Sequence, residues 1–249
     1  MDLSEISDNQ NRHPWELSRT RCILRVLRDI GIKGNILDIG CGDSYFDKRL
    51  AEKFLDVEVY GVDIFLEKEM HEGRVHAVNS LERLPIDKFD YILMMDVIEH
   101  IEDDVAYLAN ILKYLKEGGK VIITVPAFMA LYSLHDRELQ HYRRYSHQSL
   151  GRVIKESGLI ELKWSYFYFS LIIGRLLTMN RTKNLGNWNY SETDFKTKLI
   201  TCILNLDFDV LTFLSKLGFH LPGLSLLSIA SVKPSSWEPY GCTLGGAHR

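Results

Sequence analysis

Between Trp15 and Ile30 the apolar residues Leu17, Ile23, Leu24, Leu27 and Ile30 return at intervals of three and four, the period of an amphipathic helix, which Gly31 and Gly34 end. Short apolar runs then alternate with helical patterns. Strands are predicted over 36–39, 57–62, 75–78, 91–95 and 120–125, and helices over 45–54 and 101–115. Gly118 and Gly119 read as the stop of the second of these helices. The alternation of strands and helices predicts a parallel sheet with helices on both faces, the doubly wound α/β class.

After Pro126 the pattern changes. A polar loop rich in His and Arg is predicted over 133–146, a helix over 148–157, a strand over 160–164, and an aromatic-rich helical stretch over 166–177. A polar loop over 180–194 and a second helical pattern over 195–217 follow, and "LSLLSIASV" reads as a closing strand. The expected organisation is an N-terminal helix or lid over 1–34, an α/β core over 35–165, a helical insertion over 166–222 for substrate binding or interaction, a closing strand over 223–234 and a flexible tail over 235–249.

Composition narrows the class. The 249 residues, 46% of them hydrophobic and 25% charged, suffice for one substantial core and are not those of a disordered chain. A net charge of -3 argues against a general nucleic-acid binder. The four cysteines lie far apart without a CxxC pair, so neither a zinc site nor a disulfide framework is indicated, and a reducing cytoplasm fits best. The polar, acidic start is unlike a secretory signal. The most apolar run, 164–179, is interrupted by Arg175 and shorter than the ~20 residues that span a bilayer, which leaves peripheral contact with a membrane surface open.

In open parallel sheets the ligand sits beyond the carboxyl ends of the strands. The first strand delivers Asp38, Gly40, Gly42 and Asp43 there, and the glycines let a ligand reach bare amides ahead of a helix. The second ends in "YGVDI", which places Asp63 about 20 residues beyond the turn, where a carboxylate accepts hydrogen bonds from ribose hydroxyls. A nucleoside ligand is therefore expected. A dinucleotide would want a third glycine where Tyr45 stands, so the nicotinamide reading weakens.

The segments "LDIGCGDS", "GVDI", "FDYILMMDVIEHIED" and "LKEGGKVIITVP" occur in the order and at the spacing of class I S-adenosylmethionine-dependent methyltransferases. The chain resembles that family strongly over 36–125 and weakly over 146–158 and the final strand. It is similar in particular to the quinone-biosynthesis O-methyltransferase branch, whose fourth strand also runs into an acidic "EH" segment. The resemblance implies a mostly parallel seven-stranded Rossmann-like methyltransferase sheet with a helical insertion before its last strand, and S-adenosylmethionine as cofactor. Asp38 would orient the glycine turn or hold the methionine ammonium, and Gly40 and Gly42 would let the backbone close on the cofactor. Asp63 would bind the ribose, with Ile64 beside it; Asn79 and Ser80 stand where relatives often carry an acidic residue for the adenine amino group. Asp96 and Val97 would lie near the methionine part and the transferred methyl. The sequence departs from the pattern in having Ser44 where many relatives have a further glycine, and in lacking the adenine-binding carboxylate.

Methyl transfer to a hydroxyl needs an acceptor held in line and a base for its proton. The base candidates are His100, His135 and His141, weighed against a purely structural role for His100 at the fourth-strand turn. Arg143 and Arg144 would bind an anionic acceptor or stand solvated. No metal ligand is assigned, although Asp96, Glu99 and His100, at i, i+3 and i+4 of a helix start, would form with His141 an O/N set suited to Mg or Mn. Otherwise Glu99 complements the helix start, as Glu102, Asp103 and Asp104 do. "RHPWELSRTR" reads either as a surface helix packing Trp15 and Leu17 with its arginines in water, or as a lid that turns Trp15 or Arg19 toward the methionine carboxylate. The insertion over 166–217 reads as core packing, an apolar acceptor pocket, a homodimer face or a membrane contact. The expected activity is O-methylation of a small hydroxylated acceptor, lipid-like or sugar-derived. The alternatives are an RNA ribose methyltransferase, which would need a basic strip, and a non-catalytic cofactor-binding scaffold.

Overall fold

In the computed structural model of the chain, residues 12–178 and 194–232 are described. The order is α1 (Pro14–Asp29), β1 (Gly34–Ile39), α2 (Tyr45–Lys53), β2 (Val57–Val62), β3 (Met70–Glu72), β4 (Val75–Val78), β5 (Phe89–Met95), α3 (Asp104–Ile111), β6 (Leu115–Pro126), α4 (Leu134–Glu138), α5 (His147–Glu156), β7 (Leu159–Phe167), α6 (Phe169–Thr178), α7 (Phe195–Lys216) and β8 (Ser225–Val232). The strands form one sheet in the order β3-β4-β2-β1-β5-β6-β8-β7. Strands β4, β2, β1, β5 and β6 are parallel neighbours, while β8 runs antiparallel between β6 and β7. The eighth strand, against the seven expected, is the three-residue β3, antiparallel at the β4 edge.

Both faces of the sheet are covered, and the apolar residues of β1 and β5 divide between them. Leu37, Ile39, Ile92 and Met94 join one buried cluster; Ile36, Leu93 and Met95 join the other. This is why these strands read as continuous apolar runs rather than as alternation. From β1 the chain turns outward to β2 on one side and, later, to β5 on the other, so the strand order reverses between β1 and β5. A crevice opens at the carboxyl ends of two such strands.

Four expectations need correction. The helix predicted over 101–115 starts later, because the Asp103 side chain accepts the Ala106 N–H at 2.9 Å and caps α3. A short helical turn over Leu112–Tyr114 then ends it. Gly118 and Gly119 do not stop a helix but lie in a bulge of β6: Phe89 pairs with Leu115 and Tyr91 with Lys120, and Gly118 turns the extra residues at φ 72°. Lys116 Nζ fastens that bulge to Asp90 at 2.8 Å. The loop predicted over 133–146 contains the short α4. Finally, Tyr166 and Phe167 belong to β7, and helix α6 begins only at Phe169. Tyr166, Phe167 and Tyr168 are buried, so this part of the aromatic run is core packing. The polar loop expected from 180, up to Asp194, and the expected tail lie outside the described residues.

Candidate active site

The turn after β1 is built from left-handed residues: Gly40 at φ 75°, Gly42 at 59° and Ser44 at 61°. The Gly40 N–H donates to the Val62 carbonyl at 2.7 Å, which locks the turn to the end of β2. A Cβ on Gly40 would lie 2.7 Å from Val97 Cγ2, so this position needs glycine for space as well as for conformation. Asp63 is buried, and its two carboxylate oxygens accept the N–H groups of Gly42 and Phe65, each at 2.9 Å. It therefore joins the β1 and β2 turns. Ile64 and Phe65, just beyond, are 76% and 68% exposed, an apolar surface at the mouth of the crevice. Asn79 and Ser80 follow β4 beside them, half-buried.

Asp38 is fully buried beneath the turn, and neither of its carboxylate oxygens has a hydrogen-bond donor among the described residues. Burial, and next the charge of neighbouring Asp47, push its pKa well above the carboxylate range. A cationic group brought against it would favour its ionised form. Burial likewise raises the Cys41 thiol, which leaves that residue a packing role and no thiolate chemistry.

Helix α1 closes over the turn. Arg12 pairs with Glu16 and Asp43 and lies 4.3 Å over the Tyr45 ring; Arg19 pairs with Asp96 and lies 4.4 Å over Trp15. Arg12 and Arg19 are buried, so of the arginines in "RHPWELSRTR" only Arg21 stands in water as the surface-helix reading expected. Glu16, Arg19 and Thr20 face Asp38, Gly40, Asp43 and Met95 across a cavity of about 10 Å³, room for one water molecule. A larger ligand therefore enters only if α1 moves.

The end of β5 brings the remaining groups together. Asp96, at φ 57°, accepts from Thr124 Oγ1 at 3.2 Å and pairs with Arg19. The turn over Ile98–His100 is a single 3-10 turn rather than a helix start. Glu99, His100 and His141 each offer a ligand atom within 4.8 Å of the others, and Asp96 is not part of this group because Arg19 and Thr124 hold it. Glu99 is buried with no hydrogen-bond donor among the described residues on either carboxylate oxygen, and burial, then the Asp96 charge, raise its pKa. The rings of His100 and His141 meet edge to face at 4.6 Å. His135 is exposed on α4 and stands outside this group.

His141 Nδ1 lies 3.2 Å from Asp136 Oδ1. Asp136 is the hub of the segment after β6: it also receives Arg144 Nε at 2.7 Å, Arg175 from α6, and the Ser133 N–H at 2.8 Å. Burial alone would raise this carboxyl, but the bonds from His141 and Arg144 outweigh it and hold it well below the usual range. The expected anion-binding arginines are thus committed, Arg144 to Asp136 and Arg143 to Asp104. Asp136, Arg12 and Arg175 were not picked out by sequence reading. For Asp136 a signal was present, since it stands five residues before His141 in "HDRELQH".

Residues 11–160 match the family described as methyltransferase domain. The chain is 30% identical over 145 residues to Phosphoethanolamine N-methyltransferase 1 of Arabidopsis thaliana, a match covering 51% of this chain and 29% of that protein. It is 36% identical over 98 residues to the ubiquinone biosynthesis O-methyltransferase of a Ruegeria species, covering 34% of this chain and 38% of that one. The matched stretch thus spans less than half the length of either relative. Phosphoethanolamine N-methyltransferase 2 of Haemonchus contortus, solved with phosphomonomethylethanolamine and S-adenosylhomocysteine, superimposes with a TM-score of 0.53 at 21% identity, covering 86% of this chain and 52% of that one, and so shares the fold. With the family match running over more than half of its length and the sheet, glycine turn and strand-end carboxylates all in place, the chain belongs to the methyltransferase-domain family of S-adenosylmethionine-dependent enzymes.

Proposed function

We propose that the chain transfers the methyl group of S-adenosylmethionine to a hydroxyl of a small acceptor, with His141 as the base. The observation that carries this reading is the His141–Asp136 pair, whose segment is bonded to the β5 turn that also borders the glycine turn: the Tyr142 N–H donates to the Glu99 carbonyl at 2.8 Å, and Val97 of the same turn packs on Gly40. An amine acceptor can lose its proton to water before binding, whereas a hydroxyl keeps its proton until attack. A histidine oriented by a buried carboxylate serves the second case.

The residues at the crevice fit the cofactor. Asp38, buried without a donor, takes the methionine ammonium; Asp63 takes the ribose hydroxyls through its remaining lone pairs; Ile64 and the Asn79–Ser80 stretch flank the adenine. When α1 opens, Arg19 is released from Asp96 and is placed to meet the methionine carboxylate. The cofactor supplies an electrophilic methyl on a positive sulfur. With the cofactor bound, His141 Nε2 would take the acceptor proton and Asp136 would stabilise the resulting imidazolium, while the sulfur–methyl bond that breaks as the oxygen–methyl bond forms leaves S-adenosylhomocysteine.

A buried acid without donors costs stability until its ligand arrives. Asp38→Asn, whose amide donates to Asp47, is expected to stabilise the ligand-free protein by about 1–3 kcal/mol while lowering cofactor affinity. The sign follows from the raised pKa: the charged carboxylate weakens the fold as pH rises above the ordinary carboxylate range, so the gain is larger at pH 8 than at pH 5. Thermal melts at the two pH values check it.

A second reading, favoured by the donorless Glu99 beside two imidazoles, places a divalent cation on Glu99, His100 and His141. Such an ion would polarise the acceptor oxygen, and Asp136 would fix the His141 ring from behind. The reading is tested by S-adenosylhomocysteine production from paired hydroxyl and amine acceptors, with and without chelator. Turnover confined to hydroxyl acceptors supports the base; chelator sensitivity reversed by Mg or Mn supports the cation; preference for amines contradicts both.

A further inference from the structure

Helix α7 buries Leu204, Phe208 and Leu211 and turns a second apolar row outward. Leu199, Ile203, Leu206, Val210, Phe213 and Leu217 follow at intervals of 4, 3, 4, 3 and 4, each between 47% and 64% exposed. From Leu199 to Leu217, the residue that caps the helix, this is a stripe roughly 27 Å long. The carboxylates of the helix are mostly engaged, and Asp194, exposed at the helix cap, is the acidic group left over. Asp207 is occupied by the Phe169 and Ser170 N–H groups at the start of α6, and Asp209 is paired with Arg25. Lys196 and Lys198 are exposed and have no ion-pair partner among the described residues; Lys216 reaches Asp29 only at 3.9 Å.

Next to the stripe lies a groove of about 260 Å³ between α1 and α7, lined by Leu17, Arg21, Thr197, Lys198, Thr201 and Asn205, among others. It is on the side of α1 away from Glu16, Arg19 and Thr20, which line the cofactor cavity. Thr197 is 1% exposed, and its Oγ1 and that of Thr201 have no hydrogen-bond partner among the described residues. Two unpartnered hydroxyls beside a guanidinium and an ammonium are a donor set for a phosphate oxygen.

We propose that this face docks on an anionic phospholipid surface, with a headgroup phosphate in the α1–α7 groove and the α7 stripe at the boundary of headgroups and acyl chains. This goes beyond methyl transfer and does not depend on it. Charge decides the occupant. A second copy laid along the stripe would oppose Lys196 and Lys198 to their own counterparts or to Lys216, with the capping Asp194 of each chain as the one unengaged carboxylate on the described helix and cap to set against three lysines. An anionic bilayer complements them. No helix among the described residues is long and apolar enough to cross a membrane, so the contact is one of lying on the surface.

The test is co-sedimentation of the full chain with phosphatidylcholine vesicles with and without phosphatidylglycerol, in parallel with sizing of the protein and titration with inorganic phosphate. Binding is expected only to the anionic vesicles and weakens with salt. The double variant Arg21→Glu, Lys198→Glu lowers the partition coefficient at least about thirtyfold, roughly a factor of five for each basic residue lost. Leu206→Glu, at an exposed position, lowers it without changing the melting temperature. Equal binding to neutral vesicles, variants that bind like the parent, phosphate binding without vesicle binding, or a dimer that Leu206→Glu dissociates would each overturn the proposal.

Discussion

His141→Ala is expected to lower kcat by about 10² to 10⁴ while leaving the affinity for S-adenosylhomocysteine within about twofold, the range of a lost general base. The split follows from position. His141 touches His100 and Asp136, and none of the turn residues Gly40, Gly42 or Asp63. Its removal leaves the cofactor crevice intact. Asp136→Asn is expected to act through two routes, disorienting the His141 ring and unbalancing Arg144 and Arg175, so it loses stability as well as turnover. The contribution of Asp136 to stability is present at neutral pH and is lost as pH falls below the ordinary carboxylate range, because the folded state holds the carboxyl ionised. Steady-state kinetics with a hydroxyl acceptor, alongside calorimetry, separate the two variants. Unchanged turnover in His141→Ala would return that residue to a structural role.

Gly40→Val is expected to abolish cofactor binding at any accessible concentration. The left-handed backbone at φ 75° costs a β-branched residue about 1–3 kcal/mol, and its Cβ meets Val97 at 2.7 Å. The turn must shift toward the space the ligand needs. Gly40→Ala carries the same contact with less strain and keeps the effect readable should the valine variant fail to fold. Circular dichroism establishes the fold, and titration with S-adenosylhomocysteine reads the loss.

Most of the sheet was legible because its signals are local. Val57–Val62 and Val75–Val78 lie between turn residues and carry apolar runs of strand length, so their bounds coincide with those expected. The errors arose where distant partners decide. The Gly118–Gly119 pair reads as a helix stop from its neighbours alone, yet pairing of Phe89 with Leu115 and Tyr91 with Lys120 makes it a bulge. "WSYFYF" has no periodicity that distinguishes a buried strand from a buried helix, and antiparallel pairing with β8 assigns Trp164 to Phe167 to β7. At the site, the glycine turn and Asp63 were readable from spacing. The grouping of Glu99 and His100 with His141, 41 residues away, was expected as one candidate ligand set; what brings them together is the segment after β6 folding back on the β5 turn, and only Asp96 of the expected set falls outside. The commitment of Asp96 to Arg19 is likewise a tertiary fact: it depends on α1 lying over the crevice.

The central claim is that the β1 turn and Asp63 hold S-adenosylmethionine. It is tested most directly by calorimetric titration of the parent and Asp63→Ala with S-adenosylhomocysteine, after confirming by thermal melt that the variant is folded. The predicted result is one site in the parent and an affinity at least about tenfold weaker in the variant, a difference of about 1.4 kcal/mol or more. Absence of binding by the parent, or equal binding by the folded variant, would contradict it.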